Sequence, residues 1–557
     1  MFTFIHTYAP GVFPALEKSG LWRQGDGLKL MHKPGFLPPH DFNTALAPGS
    51  PLSALLRELK CPFYVDRLQG GVGYTNRYPY DEGLIGGLRD LLGDGFWGFQ
   101  MHEWASNLNS DIERIRRLFT EQGAAPEDPA AWERLWDRIE AGSLPLFLET
   151  YPPSEWRRLK LPENLAAFLR SAQALYRRRA FETDGLLLPA DSYFMAPGTE
   201  IELGAKRLTP EAGWQIPNLR VQLAFTRGMA KAAGIPWGIY YECWQNTEGV
   251  GFTIPYALRS GQDEWREDLL VKGCGAGLPF AKREHGGSSL SLMARAWRLA
   301  YFSGAGSIAE EYGVCNTFRD LDTAELSPYG EEKRAFLRFA EAFPDIGVPF
   351  TPVAVVLPSN MPMLDVTFGD RYLGHSLSDP AAPLRPDGMR RFYAAMGAVF
   401  GKTGKYGNMG HVIKNGGLPG VCDVIYEDSP TISSYEMLID PTGDDSFPRR
   451  HKNAVTPEEA DRRLNRLLPC RVGGGLFAAY NKTARGWYVL VMNSDGVQHN
   501  VFSPDVLLPE AAVRTELTLR TPGSTVSKAA GNGTISAVGG RYALTLSAGE
   551  WLLLRLA

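Results

Sequence analysis

Short apolar runs alternate with amphipathic helical patterns from the first residues onward. Eight runs read as strands: 2–8 (FTFIHTY), 27–33 (GLKLMHK), 62–68 (PFYVDRL), 96–104 (FWGFQMHEW), 144–151 (LPLFLETY), 185–193 (GLLLPADSY), 237–244 (WGIYYECW) and 306–313 (GSIAEEYG). Between them lie helical patterns such as LSALLRELK, the 109–141 region, ENLAAFLRSAQALYRRRAFE, 217–233 and SLMARAWRLAYFSGA. Strands that alternate with helices in this way build a parallel sheet, and eight units within about 310 residues predict a closed (β/α)8 barrel.

The pattern then changes twice. TPVAVVLPSN (351–360) opens a smaller α/β segment, which continues through the helix pattern DGMRRFYAAMGAVFGKTG, the strands GVCDVIYED and SYEMLID, and the helix pattern TPEEADRRLNRLL. After it, LFAAYNKT, GWYVLVMNS, TELTLRT, GTISAVGG, YALTLSA and EWLLLRL are short strands between glycine, proline and asparagine turns, the spacing of a β-sandwich. The expected division is a barrel over 1–345, an α/β domain over 346–466 and a sandwich over 467–557.

The 44% hydrophobic and 22% charged content is that of a globular chain. The 58 basic and 62 acidic residues of the 557 leave a formal charge of −4 and no long basic run, which argues against nucleic acid or an anionic membrane as partner. No apolar stretch approaches the roughly 20 residues of a membrane span. Cysteines at 61, 243, 274, 315, 422 and 470 are scattered without metal-type spacing, so free thiols, and neither a metal nor a cofactor, are expected. The start MFTFIHTYAPG lacks a basic, then apolar, leader pattern, which points to the cytoplasm.

Candidate chemistry gathers at the C-terminal ends of the runs, where α/β barrels carry their active sites. His6, His32, Asp66 with Arg67, His102 with Glu103, Glu149, Asp191 with Tyr193, Glu242, and Glu310 with Glu311 all fall there. Long segments after the sixth and seventh runs, 194–216 and 245–288, are placed to shape a pocket. Glu103 ends the fourth run and Glu242 the seventh, so the two acids can face one another across the mouth. Glycoside hydrolysis needs one carboxyl to protonate the leaving oxygen and another, ionised, to attack the anomeric carbon. Trp97 and Trp104 flank the first glutamate, and Tyr241 and Trp244 the second. Their faces suit the apolar side of a sugar ring.

These segments resemble clan-A glycoside hydrolases, and within them the family-42 β-galactosidase type. WGFQMHEW resembles the clan's fourth-strand segment, which implies Glu103 as acid/base, and GIPWGIYYECW its seventh, which implies Glu242 as nucleophile. LLLPADSYF resembles the aspartate-x-tyrosine end of the family's sixth strand, and ARAWRLAYFSGAGSIAEEYG its helix and eighth strand. The domain order is similar too: barrel, a glutamine-amidotransferase-like α/β domain that takes part in oligomerisation, then a sandwich. The resemblance therefore implies a retaining hydrolase of a terminal sugar, β-galactosidase-like, assembled as a dimer or trimer. His102, Trp104, Asp66, Arg67, Asp191, Tyr193, Tyr241, Trp244, Glu310 and Glu311 would line its sugar site. One departure stands out: the clan's asparagine before the acid/base glutamate is His102 here, so galactose is one candidate among several. Three alternatives stay open: a catalytic role for Glu149 or Glu310, with inversion if the true pair stands further apart; a metal-dependent barrel hydrolase built on His6, His32, Asp66 and His102; and a carbohydrate-binding barrel without catalysis.

Overall fold

Eight parallel strands form one sheet: β1 (Thr3–Tyr8), β2 (Gly27–Met31), β3 (Phe63–Gln69), β4 (Phe96–His102), β5 (Leu187–Ala190), β6 (Glu211–Gly213), β7 (Gly238–Glu242) and β8 (Ser307–Glu311). Their order is β5-β4-β3-β2-β1-β8-β7-β6. The two end strands meet: Thr209 N–H donates to the Pro189 carbonyl at 3.3 Å and Glu211 N–H to the Asp191 carbonyl at 2.9 Å. The ring is closed, and the fold is a (β/α)8 barrel. The computed structural model describes residues 2–31, 42–69, 80–102, 121, 123, 128–141, 187–191, 195–202, 204–213, 219–242, 289–311, 313, 317–359, 371–372, 375–376, 386–401, 415–498, 504–520, 523–538 and 541–557.

Strand numbering differs from the sequence expectation in one respect. The run 144–151 lies outside the described residues, and Leu187–Ala190, expected as the sixth strand, pairs with β4 as the fifth. The sixth place goes to Glu211–Gly213. That strand is three residues long with no apolar run, so hydrophobic periodicity could not flag it.

Parity along the strands sorts side chains between the barrel interior and the helix layer. Ile5, Tyr64, Leu188, Ala190, Tyr240 and Ala309 come from five strands and touch one another as an interior cluster. Phe4, Tyr241 and Ile308 face the other way and join the core against the helix Leu290–Phe302. A bulge in β4 resets this alternation: Phe63 pairs with Phe96 but Tyr64 with Gly98, whose φ of 95° favours glycine. Phe96 and Phe99 consequently both pack in the outer core, and Gln100, in register with Leu188, turns inward.

Beyond the barrel, Val353–Leu357 is the middle strand of a three-stranded parallel sheet, flanked by Cys422–Tyr426 and Met437–Ile439. Among the described residues, antiparallel sheets of five and four strands follow; Val348–Pro349 adds itself to the edge of the first by pairing with Asn481 and Lys482. Among the described residues, no helix is long and apolar enough to cross a membrane.

The barrel grips the three-stranded sheet through the helix Leu219–Ala233. Arg220 donates to the carbonyls of Phe400, Gly416 and Leu418 at 2.6–3.2 Å. Arg227 and Lys231 bind the fully buried Asp423 at 2.5 and 2.6 Å, and Tyr435 and Thr351 donate to the same carboxylate. The approach is close enough that a Cβ on Gly228 would strike the Val424 carbonyl. Burial alone would raise the Asp423 carboxyl, yet the charges and hydrogen bonds of Arg227 and Lys231 hold it below its ordinary value. A carboxyl whose folded value is lowered stabilises the fold above the ordinary carboxylate range and loses that contribution as pH falls through it. Asp423→Asn should therefore cost about 3–5 kcal/mol of unfolding free energy at neutral pH, and less in acid, as measured by urea denaturation at several pH values. A pH-independent difference between the two proteins would contradict this.

Candidate active site

The lower part of the barrel interior holds charged groups. Trp97 stacks on Tyr64 with ring centroids 6.4 Å apart, and the Arg207 guanidinium lies 3.8 Å over the Trp97 centroid. Burial pulls Arg207 down to about 10. Further along the strands, Lys29 on β2 pairs with Asp66 on β3, both side chains being fully buried. Tyr240 on β7 donates to Asp66 at 2.6 Å and receives Lys29 at 3.2 Å. Three strands are thereby tied across the lumen by one ionic, hydrogen-bonded knot.

Two residues beyond Tyr240 on the same face comes Glu242, at the C-terminal end of β7. It is in register with Glu311 on β8 and with Gly213 on β6. Glu211, two residues before Gly213, shares that face. Glu211, Glu242 and Glu311 are 1%, 5% and 3% exposed, and each offers a carboxylate oxygen within 4.8 Å of the other two. Buried carboxylates this close do not all carry charge unaided; protons are shared among them or a cation intervenes. Among the described residues no histidine or cysteine joins them, so a cation there would be held by carboxylate oxygens, the ligand type of calcium and magnesium. An acidic trio held in this way suits chemistry in which one carboxylate stays ionised beside a neutral neighbour.

Two further polar side chains point inward. Among the described residues, fully buried Gln100 has no hydrogen-bond partner for its amide nitrogen or oxygen, and the Thr7 hydroxyl has none either. Thr7 is in register with Lys29 and so shares the inner face.

Of the residues expected to form the site, Glu242 and Glu311 come together, and Asp66 lies below them in the Lys29–Tyr240 knot. Asp191 follows β5, is buried, and accepts the Glu211 N–H at 2.9 Å. Glu310 and Tyr241 sit on the other side of the barrel wall: Glu310 pairs with Lys333 of the helix Pro328–Ala342, and Tyr241 meets Trp297 edge-on at 5.8 Å. His6 also faces outward, against Phe4 and Trp22, with its Nε2 3.3 Å from Asp26 Oδ2. Burial lowers its basicity despite that partner. His102 and Arg67 lie on the backbones of β4 and β3. Glu103, Trp104, Glu149, Tyr193, Trp244 and His32 lie outside the described residues. Glu211 and Lys29 were not singled out from sequence. A signal for Glu211 existed: the helix Leu219–Ala233 must follow a strand in a βα alternation, and Thr-Pro-Glu-Ala-Gly is where that strand has to be.

Solved structures overlay on the whole chain. They include a β-galactosidase from Bacillus circulans sp. alkalophilus, with TM-score 0.47, 9% identity, and coverage of 100% of this chain and 99% of that one. A catalytic mutant of a GH42 β-galactosidase from G. stearothermophilus overlays with TM-score 0.46, 9% identity and coverage of 100% and 98%. α-L-Fucosidase isoenzyme 2 from Paenibacillus thiaminolyticus does so with TM-score 0.45, 9% identity and coverage of 100% and 99%. No protein-family model and no curated protein matches the sequence. At 9% identity the overlays assign no role to any residue of this chain.

The knot beneath the acidic trio makes a stability prediction. Asp66→Asn leaves the Lys29 ammonium buried beside a neutral amide and should lower the unfolding free energy by about 3–5 kcal/mol. An unchanged denaturation midpoint would mean that Lys29 is neutral or compensated elsewhere.

Proposed function

We propose that the chain is a retaining glycoside hydrolase acting on the terminal sugar of an oligosaccharide or glycoconjugate, with Glu242 as nucleophile and Glu103 as general acid and then base. The observation that carries this reading is the placement of Glu242: at the C-terminal end of β7, turned into a closed barrel, and held among two other carboxylates at that level. Its neighbours Glu211 and Glu311 are close enough to hold protons that leave Glu242 ionised. Glu103 follows directly on His102, the last residue of β4, three strands round the ring from β7 in sequence order.

In this mechanism a Glu242 oxygen bonds to the anomeric carbon as the glycosidic carbon–oxygen bond breaks. The leaving oxygen takes its proton from Glu103. Water then attacks the same carbon, gives its proton to Glu103 and releases Glu242, so two inversions return the original configuration. The Gln100 amide, a donor and an acceptor with no partner among the described residues, is suited to a hydroxyl or an ordered water at the floor of the site. The metal-dependent alternative loses support because His6 and Asp66 face opposite sides of the barrel wall. The division into domains at 1–345, 346–466 and 467–557 belongs to the same proposal, supported by the separate parallel and antiparallel sheets.

A panel of nitrophenyl glycosides, with the first-formed product anomer followed by NMR, tests the reading. Retention is expected; inversion would remove the covalent step, and no turnover of any member would favour a binding protein. Glu242→Gln should abolish turnover without unfolding the protein, and azide should rescue Glu242→Gly while giving a glycosyl azide of inverted configuration. Glu103→Ala should slow natural linkages by about 10²–10⁴-fold and activated aryl glycosides much less, because a good leaving group needs little protonation. Equal losses on both would take the acid role from Glu103.

A further inference from the structure

Gly213 lies beside Glu242 on the neighbouring strand. Its φ is not in the left-handed region, so its backbone does not call for glycine. Space does. A Cβ at Gly213 would stand 2.7 Å from the Glu242 Cβ and 2.8 Å from its Oε2. The Glu242 side chain therefore lies across β6, over the Gly213 backbone, and in that position its carboxylate comes within reach of Glu211.

Glu211 is itself fixed from both sides. Its N–H closes the barrel on the Asp191 carbonyl, and its own carbonyl accepts the side-chain amide of Gln222 from the helix Leu219–Ala233. Like Glu242 and Glu311 it is buried, and burial penalises the charged form. Charged groups of the described residues lie around the trio. Asp66 and Lys29 lie below and neutralise one another, Tyr240 belongs to that pair, and Asp191 follows β5. Lys333, Glu310, His6 and Asp26 lie behind the barrel wall.

We infer that Gly213 and Glu211 are positioning residues for Glu242: Gly213 supplies the recess in which the nucleophile's side chain lies, and Glu211 holds the proton that leaves Glu242 charged and aimed. This rests on Glu242 being the nucleophile. No bond to substrate is made by either residue, and the Glu211 proton stays with the trio through the reaction.

Two variants and one spectrum test it. Gly213→Ala should lower kcat about 100-fold with KM little changed, the size of effect expected when a reacting group is displaced by about 1 Å; circular dichroism checks that it folds. Glu211→Gln keeps a neutral side chain at every pH, so it should lower kcat less than Gly213→Ala does. A purely structural role would reduce stability and leave kcat in place. Independently of activity, infrared difference spectra at neutral pH should show a protonated carboxyl band in the wild type that is missing in Glu211→Gln. Unchanged kcat in Gly213→Ala, or identical carboxyl bands, would each overturn the inference. If the band disappears as expected but no glycoside is turned over by the wild type, the proton on Glu211 stands and the glycosidase reading falls.

Discussion

The structure depends on the closure of its barrel between Leu187–Ala190 and Glu211–Gly213. Neither strand is long, and among the described residues the two segments meet through a pair of backbone hydrogen bonds, from Thr209 to Pro189 and from Glu211 to Asp191. An open parallel sheet would leave a row of unpaired donors and acceptors at each edge. Closing it satisfies them and has a chemical consequence, because the residue that makes the second bond is Glu211. The hydrogen bond that completes the ring also places a carboxylate beside Glu242.

Around that closure, charge is sorted by strand parity. Glu310 and Glu311 are adjacent in sequence, yet one turns outward to Lys333 and the other inward to the trio. His6 and Thr7 divide in the same way, the histidine toward Asp26 and the threonine into the lumen. The outer charges are paired, and the lower interior balances Lys29 against Asp66. What remains is a concentration of acid at one level of the barrel interior, toward the C-terminal rim. Burying like charges is costly, and a fold that keeps them there concentrates its strain at the place where the sequence resemblance puts the chemistry.

The barrel was legible because its longer strands are continuous apolar runs with helices between them. WGIYYE and GSIAEE carry β-branched and aromatic residues up to a terminal carboxylate, and both fold as strands. Glu211–Gly213 was not legible, since a three-residue strand that follows Pro210 and ends in a glycine leaves no period to read. The inward and outward assignment was only partly readable. Alternation separates Tyr240 from Tyr241, but which of them faces the lumen depends on the register with β6 and β8, a tertiary fact. For the same reason Lys29 read as an ordinary strand residue, although it lies at the centre of the interior network.

The central claim is that Glu242 attacks the sugar. Incubation with an activated 2-deoxy-2-fluoroglycoside of the preferred sugar, followed by proteolysis and mass spectrometry, tests it most directly, because the fluorine slows release of any covalent intermediate. One sugar should be found per chain, attached to the peptide that spans Gly234–Gln245, at Glu242. A label on Glu211, Glu311 or any other side chain, or unlabelled protein from an enzyme that still turns over glycosides, would contradict the claim.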